Sequence, residues 1–385
     1  MSEVQSPTPT VEAAAPSAQA ASPEPVRSGL EGVVAFATEI AEPDKAGGAL
    51  RYRGVDIESL VGAVPFEQVW GLLVDDRLKP GLPPAEPHVL TVRSGDPRVD
   101  VQAALAMLAP EWGFRQLIDI SDVQARDNLA RASVMALSFV AQSARGVGQP
   151  PVPQEEVDRG RTIPERFLIR WRGEADPVHV RAIDAYWISA AEHGINASTF
   201  AARVVASTGA DCAAALSAAV GALSGPLHGG APSRVLKMLD EVDRSGHAER
   251  WVSQALDRGE RLMGFGHRIY RAEDPRAKVL RRTAKELGSR RFEAAEALER
   301  AALAELHARK PDRVLATNVE FWSAVVLDLA EVPPELFTPL FTCARVAGWS
   351  AHILEQKREA KLIRPTANYV GHGPRSLQEV EAAER

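Results

Sequence analysis

The sequence predicts an all-α protein with a short N-terminal β-hairpin, and three observations predict it. From Pro65 onward nearly every segment carries apolar residues three and four apart, the spacing of one helix face. Strand-like text is confined to VVAFATEI (33–40) and ALRYRGVDI (49–57), on either side of AEPDKAGG. The breaks between periodic segments are Pro and Gly clusters such as KPGLPPAEP and RGVGQPPVPQ.

Taken in order, residues 1–28 are mostly Pro, Ala, Ser and Glu, too poor in large apolar side chains to offset their ordering entropy, so a disordered arm is expected. After the hairpin, helices are expected over FEQVWGLLVDD, VDVQAALAMLA, ARDNLARASVMALSFVAQSAR, VHVRAIDAYWISAAEH, ASTFAARVVAS and DCAAALSAAVGAL. They continue through SRVLKMLDEVDR, WVSQALDRGE, PRAKVLRRTAKELG, FEAAEALERAALAELHARK, FWSAVVLDLAE and ELFTPLFTCARVAGWSAHILEQK. Residues 211–223 and 336–354 are apolar on most faces, as befits helices surrounded by others.

Composition narrows the function classes. A chain of 385 residues favours two domains, or one large domain with an insert. Its 45% hydrophobic and 25% charged content is that of a globular protein. No apolar run approaches the roughly 20 residues needed to cross a bilayer, and no signal peptide opens the chain, so a cytoplasmic protein without membrane contact is expected. A formal net charge of −6 argues against nucleic acid as a partner. Cys212 and Cys343 lie in apolar helical text and are expected as buried thiols without a disulfide.

Several stretches carry candidate chemistry. In GALSGPLHGGAPSR, His228 stands in a tight connection aimed at a helix start near Pro232, where the helix dipole disfavours imidazolium; alone, it reads equally as a turn filler. In GFGHRIYRAEDPRAKVL, Asp274 and Pro275 form an N-cap and N1 pair. Arg276 then falls in the first helical turn, opposed by the dipole, and is expected to serve an anion. His267, with Arg268 and Arg271 beside it, lies in the glycine-bounded approach, although a basic surface loop explains it as well. Asn318 reads as a cap that puts Glu320 in a first turn, where a carboxylate is favourable whatever its role. Arg345 interrupts an apolar helix and needs an anion, either a structural carboxylate or a ligand. His193 precedes Asn196 and Ser198, which read as a cap, and, unaided, is structural. No histidine pair has metal-ligand spacing, so no metal is expected, and no serine lies in a Gly-x-Ser-x-Gly turn.

Together HGINASTFAARVVAST, GALSGPLHGGAP, GFGHRIYRAEDPRA, TNVEFWSAVVL, FTPLFTCARVAGWSAHILEQ and KLIRPTANYVG, in this order, resemble the citrate synthase family from about Gly29 almost to the C-terminus. The resemblance implies a helical homodimer whose subunit has a large domain, 29–229 with 335–385, and a small domain, 230–334, that closes over the substrates. It implies acetyl-CoA and oxaloacetate as substrates, citrate and CoA as products, and no cofactor beyond the CoA thioester. His228 takes the place of the enolate-stabilising donor, Glu320 that of the base, and His267 that of the group polarising the ketone. Arg276, Arg345, His193 and, from the partner subunit, Arg364 match the oxaloacetate pocket; Arg271 and Lys310 match loosely the side chains near the CoA phosphates. One departure stands out: the family's NVDF is NVEF here, so the base position holds glutamate. A 2-methylcitrate synthase using propionyl-CoA, or a non-catalytic sensor of CoA and dicarboxylate, are the competing expectations.

Overall fold

The computed structural model describes residues 26–30, 32–44, 48–226, 228, 232–266, 273–313 and 315–383. It falls into two compact units, Thr38–Ile363 and a second made of residues 1–37 with 364–385. The described part of the second unit holds a 3-10 turn at Ser28–Leu30 and one helix, Leu377–Ala383.

The larger unit opens with three antiparallel strands, β1 (Ala41–Asp44), β2 (Ala49–Tyr52) and β3 (Val55–Asp56), in that order. This corrects the expected hairpin. The first strand is AEPD, pairing Ala41 with Tyr52 and Asp44 with Ala49, and VVAFATEI contributes no strand. The reason lies in where 38–40 is tied. Thr38 Oγ1 and the Glu39 N–H donate to the Glu355 carboxylate at 3.2 and 3.1 Å, and Ile40 is fully buried. The Glu39 N–H and the Thr38 hydroxyl therefore serve a side chain of the apolar helix near the C-terminus instead of a neighbouring strand. Pro43 lies on the edge strand β1, where a missing N–H is tolerated.

Helices follow: α1 (Ile57–Leu60), α2 (Phe66–Asp75), α3 (Pro97–Trp112), α4 (Asp122–Arg145), α5 (Gln154–Val157), α6 (Ile163–Arg172), α7 (Pro177–Ala190) and α8 (Ala197–Ser207). Then come α9 (Cys212–Leu223), α10 (Pro232–Ser245), α11 (Ala248–Asp257), α12 (Pro275–Glu286), α13 (Phe292–Arg309), α14 (Val319–Leu329) and α15 (Phe337–Glu359). Each expected helix is present; α1, α5, α6 and the Leu377–Ala383 helix are additions, and α6 is the longest of them. Its signals were there, a Thr162 cap whose hydroxyl accepts from the Glu165 N–H at 3.3 Å and Pro164 in the first turn.

Helix α15 is buried along nearly its whole length and packs against α2, α4, α7, α8 and α9. Fully burying one large apolar side chain stabilises by about 1.5–3 kcal/mol, so a helix apolar on most faces can only lie inside. Trp70, Trp187, Trp322 and Trp349 are all fully buried. Three of these indoles find acceptors: Trp70 on Ser133 Oγ (3.3 Å), Trp322 on Glu299 (2.9 Å) and Trp349 on Ser198 Oγ (3.2 Å). A second layer, α12 against α14, also packs on α7, while α10, α11 and α13 pack on one another and α10 reaches α14. Cys212 and Cys343 are buried free thiols. Among the described residues, no helix is long and apolar enough to cross a membrane.

Candidate active site

His228 sits where the sequence put it, between the C-cap of α9 at Ser224 and the start of α10. Its backbone N–H donates to the Gly225 carbonyl at 2.9 Å, closing a turn that aims the ring inward. Ring atom Nε2 lies 2.9 Å from Ser198 Oγ, in the first turn of α8. Asn196, the α8 cap, already accepts on Oδ1 from the N–H groups of Ser198 and Thr199, both at 3.1 Å. Ser198 Oγ also donates to Asn196 Oδ1 at 2.9 Å, so its single proton is shared between that oxygen and the imidazole. A Ser198 hydroxyl that donates to Nε2 leaves the ring proton on Nδ1, where it can be offered as a hydrogen bond. Burial, and then the nearby Arg345 cation, push the His228 pKa down to about 4. The neutral imidazole expected from the helix start is thus obtained by a different cause, desolvation.

Glu320 occupies the first turn of α14, whose cap Asn318 accepts the Glu320 N–H at 3.0 Å. The same asparagine clamps the approach to His267. Its Nδ2 donates to the Gly266 carbonyl (2.9 Å), its N–H donates to the Gly264 carbonyl (2.9 Å), and the Gly266 N–H donates to Ala316 (2.7 Å). Gly264 is required here: φ is +88°, and a Cβ would stand 2.8 Å from the Phe321 side chain. His267 and Arg271 themselves lie outside the described residues. Burial pushes the Glu320 carboxyl up; the cations Arg276 and Arg261 oppose this, and Asp274 adds to it.

Arg276 is buried, and part of the anion it was expected to meet is its own helix cap. Asp274 accepts Arg276 Nε on Oδ1 at 3.0 Å and Nη2 on Oδ2 at 2.8 Å. Asp274 Oδ2 also accepts the Val319 N–H at 3.0 Å, so one carboxylate ties α12 to the first peptide of α14. Arg345 is 3% exposed on α15, stacked over Phe341 at 4.9 Å. Its Nε and Nη1 have no hydrogen-bond partner among the described residues. Buried guanidinium nitrogens in that state are costly, and a bound anion would satisfy them. Burial lowers the Arg345 pKa, with Glu192 acting against it and Arg276 adding to it. His193 is buried just after α7.

The cluster is knit electrostatically: Arg345 acts on His228, and Arg276 acts on both Arg345 and Glu320. Neutral imidazole, carboxylate and two buried guanidiniums thus lie within electrostatic reach of one another. Lys310 stands apart at the exposed C-terminal end of α13, and Arg364 belongs to the second unit. A cavity of about 550 Å³, lined by Arg53, Asp75, Arg77, Lys79, Arg126 and Arg358 among others, contains none of the candidate residues. The sequence reading missed Ser198 as the partner of His228 and Asp274 as the partner of Arg276, since both were already explained as parts of caps. It also missed Glu192, which no local pattern distinguishes.

Known proteins resemble this chain throughout. The profile described as "Citrate synthase, C-terminal domain" matches residues 29–366. A Mycobacterium tuberculosis protein provisionally named citrate synthase 2 is 66% identical over 364 residues, 94% of this chain and 98% of the relative. The citrate synthase of Haloferax volcanii is 36% identical, covering 90% of this chain and 96% of its own. A ternary complex of citrate synthase from Thermoplasma acidophilum with carboxymethyl coenzyme A and oxaloacetate superposes with a TM-score of 0.78 at 28% identity, covering 94% of this chain and 100% of that one. With the helical fold, the motifs and these matches in agreement, the chain belongs to the citrate synthase family.

Proposed function

We propose that the protein, a transferase, condenses acetyl-CoA with oxaloacetate and hydrolyses the thioester to give citrate and CoA, the entry step of the tricarboxylic acid cycle. The observation that carries this reading is the neutral His228 ring beside Arg345, with Glu320 reached through Arg276. A thioester methyl group is a weak acid, so a carboxylate base needs a donor on the thioester oxygen as the proton leaves. Glu320 takes that proton, and His228 donates to the developing enolate oxygen without first losing a charge. His267 polarises the oxaloacetate ketone, and the new C–C bond forms between the enolate carbon and that carbonyl carbon. Arg276 and Arg345 receive the carboxylates, with His193 and Arg364 of the partner subunit completing the pocket of a homodimer. Arg271 and Lys310 serve the CoA phosphates.

In this reading the small domain, 230–334, closes on the large domain, 29–229 with 335–385, and the enzyme works in the cytoplasm as an acyltransferase that converts acyl to alkyl. The likeness to relatives named as citrate synthases, at 66% (a provisional name) and 36% identity, supports acetyl-CoA over propionyl-CoA for this chain, although a 2-methylcitrate synthase of Shewanella oneidensis is also 32% identical over 91% of this chain. The test is release of free thiol from acetyl-CoA, required to depend on oxaloacetate, beside the same assay with propionyl-CoA. Thiol release that ignores oxaloacetate, or binding without release, overturns the assignment; a higher kcat/KM for propionyl-CoA moves it to 2-methylcitrate.

A further inference from the structure

On α15, Arg345, Gly348 and His352 follow one another at spacings of three and four, so they share one face. Glu192, just after α7, is fully buried against that face. A Cβ at Gly348 would collide with Glu192 Oε2 and stand 2.6 Å from the Ala191 carbonyl oxygen, so the carboxylate occupies the space a missing side chain leaves. The Gly348 N–H reaches the Ala191 carbonyl at 3.2 Å, and the Glu192 N–H donates to Tyr52 Oη at 3.3 Å. These contacts hold the backbone of 191–192 in place.

The carboxylate itself is poorly served by hydrogen bonds. Oε1 lies 3.3 Å from His352 Nε2, and neither oxygen makes a well-aligned hydrogen bond among the described residues, although, against the effect of burial, His352 and the His193 N–H both help hold the carboxyl below its usual value. The His352 tautomer follows from its other side. Arg203 Nη1, which can only donate, lies 3.1 Å from His352 Nδ1, so the ring proton sits on Nε2 and points at Glu192. On the opposite side of Gly348 stands Arg345, whose Nε and Nη1 have no hydrogen-bond partner among the described residues. A buried, imperfectly bonded carboxylate is costly to keep unless its charge has a use.

We propose that Glu192 is a positioning residue, a fixed counter-anion seated over Gly348 and braced by His352, that sets how strongly Arg345 attracts the dicarboxylate substrate. The inference rests on the functional reading above. Glu192 stabilises the empty pocket, where Arg345 would otherwise be a buried cation alone. It also repels the incoming substrate carboxylate through a medium of low dielectric. The result is a pocket that holds oxaloacetate less tightly than its arginines alone would, which avoids an over-stabilised ground state.

The test is titration calorimetry with oxaloacetate, together with thermal denaturation of the unliganded protein, on the full chain. Glu192→Gln is expected to lower the Kd for oxaloacetate at least threefold while lowering the unliganded Tm, and Glu192→Asp to keep Kd within twofold of the parent. His352→Leu, which removes the imidazole beside Glu192 and leaves the carboxylate to Arg345, is expected to raise Kd at least threefold. A merely structural role would weaken binding together with Tm in every variant, and that outcome, or an unchanged Kd in Glu192→Gln, overturns the inference. Should Glu192→Gln fail to fold, Glu192→Asp decides alone: a lowered Tm with Kd kept within twofold of the parent supports the inference, and a Kd that rises more than twofold as Tm falls overturns it. Absence of saturable oxaloacetate binding by the unsubstituted protein sinks the functional reading instead.

Discussion

Ser198 Oγ lies 2.9 Å from His228 Nε2 and at the same time accepts the buried indole N–H of Trp349 at 3.2 Å. The indole has no other role in this contact than to fix the oxygen, so the hydroxyl orients the imidazole from a rigid support. Ser198→Ala is expected to lower kcat on the order of 10- to 100-fold, since small misplacements of a reacting group carry losses of that size. KM for oxaloacetate should change little, because Ser198 does not bear on the arginines. Steady-state kinetics with both substrates check this, and an equal rise in KM with kcat intact would contradict it.

Glutamate at position 320 carries one more methylene than the aspartate of the family motif, yet its helix start is capped in the ordinary way by Asn318. Glu320→Gln is expected to reduce turnover by at least 100-fold, and Glu320→Asp to leave more activity than the Gln variant. Near-normal turnover in Glu320→Gln would remove the carboxylate from the role of base.

The pH profile separates the two groups. His228 is held near 4 by burial and Arg345, so it stays neutral over the whole range in which the protein works. Glu320 must be ionised to act, and burial raises its carboxyl above the usual value of 4.5 despite Arg276 and Arg261. The acid limb of kcat/KM is therefore expected above pH 4.5 and should belong to Glu320. For stability the His228 sign is definite. A folded pKa of about 4 below a value of 6.5 for the free group gives stability that is complete above 6.5 and lost as pH falls toward 4. His228→Gln should flatten that part of a plot of Tm against pH.

Asp184 offers a stability test away from the site. Its carboxylate on α7 accepts the Phe66 N–H at the start of α2 at 2.9 Å, while burial, aided by the charge of Glu67, raises its pKa to about 7. A raised carboxyl contributes stability that is fully present below the unfolded value, 3.8, and is lost as pH climbs through 7. Asp184→Asn keeps an acceptor for Phe66 and removes the buried charge. Its Tm is expected to exceed that of the parent at pH 8 and to match it more closely at pH 5; a lower Tm at pH 8 would refute the account.

Most of the helical fold was legible because caps and periodicity are local. Asp274 with Pro275, Asn318 and Asn196 each open the helix they were expected to open. The first strand was not legible, because 38–40 is claimed by Glu355, more than 300 residues away. In the site, the sequence pointed to Arg276 and Arg345 by their awkward positions, a cation in a first turn and a charge in an apolar helix. It did not point to Ser198, Asp274 or Glu192. The first two had complete local explanations as members of caps, and the third acquires meaning only when α15 brings Gly348 against it.

Asp274 grips the guanidinium of Arg276 and the peptide nitrogen of Val319 with one carboxylate. An anion drawing on Arg276 therefore tugs at a bracket that also holds the root of the helix bearing Glu320. In the proposed reaction, occupancy of the dicarboxylate subsite and aim of the base would be geared together, so an ill-fitting acid would leave the carboxylate pointed wrongly even when the acetyl group has arrived.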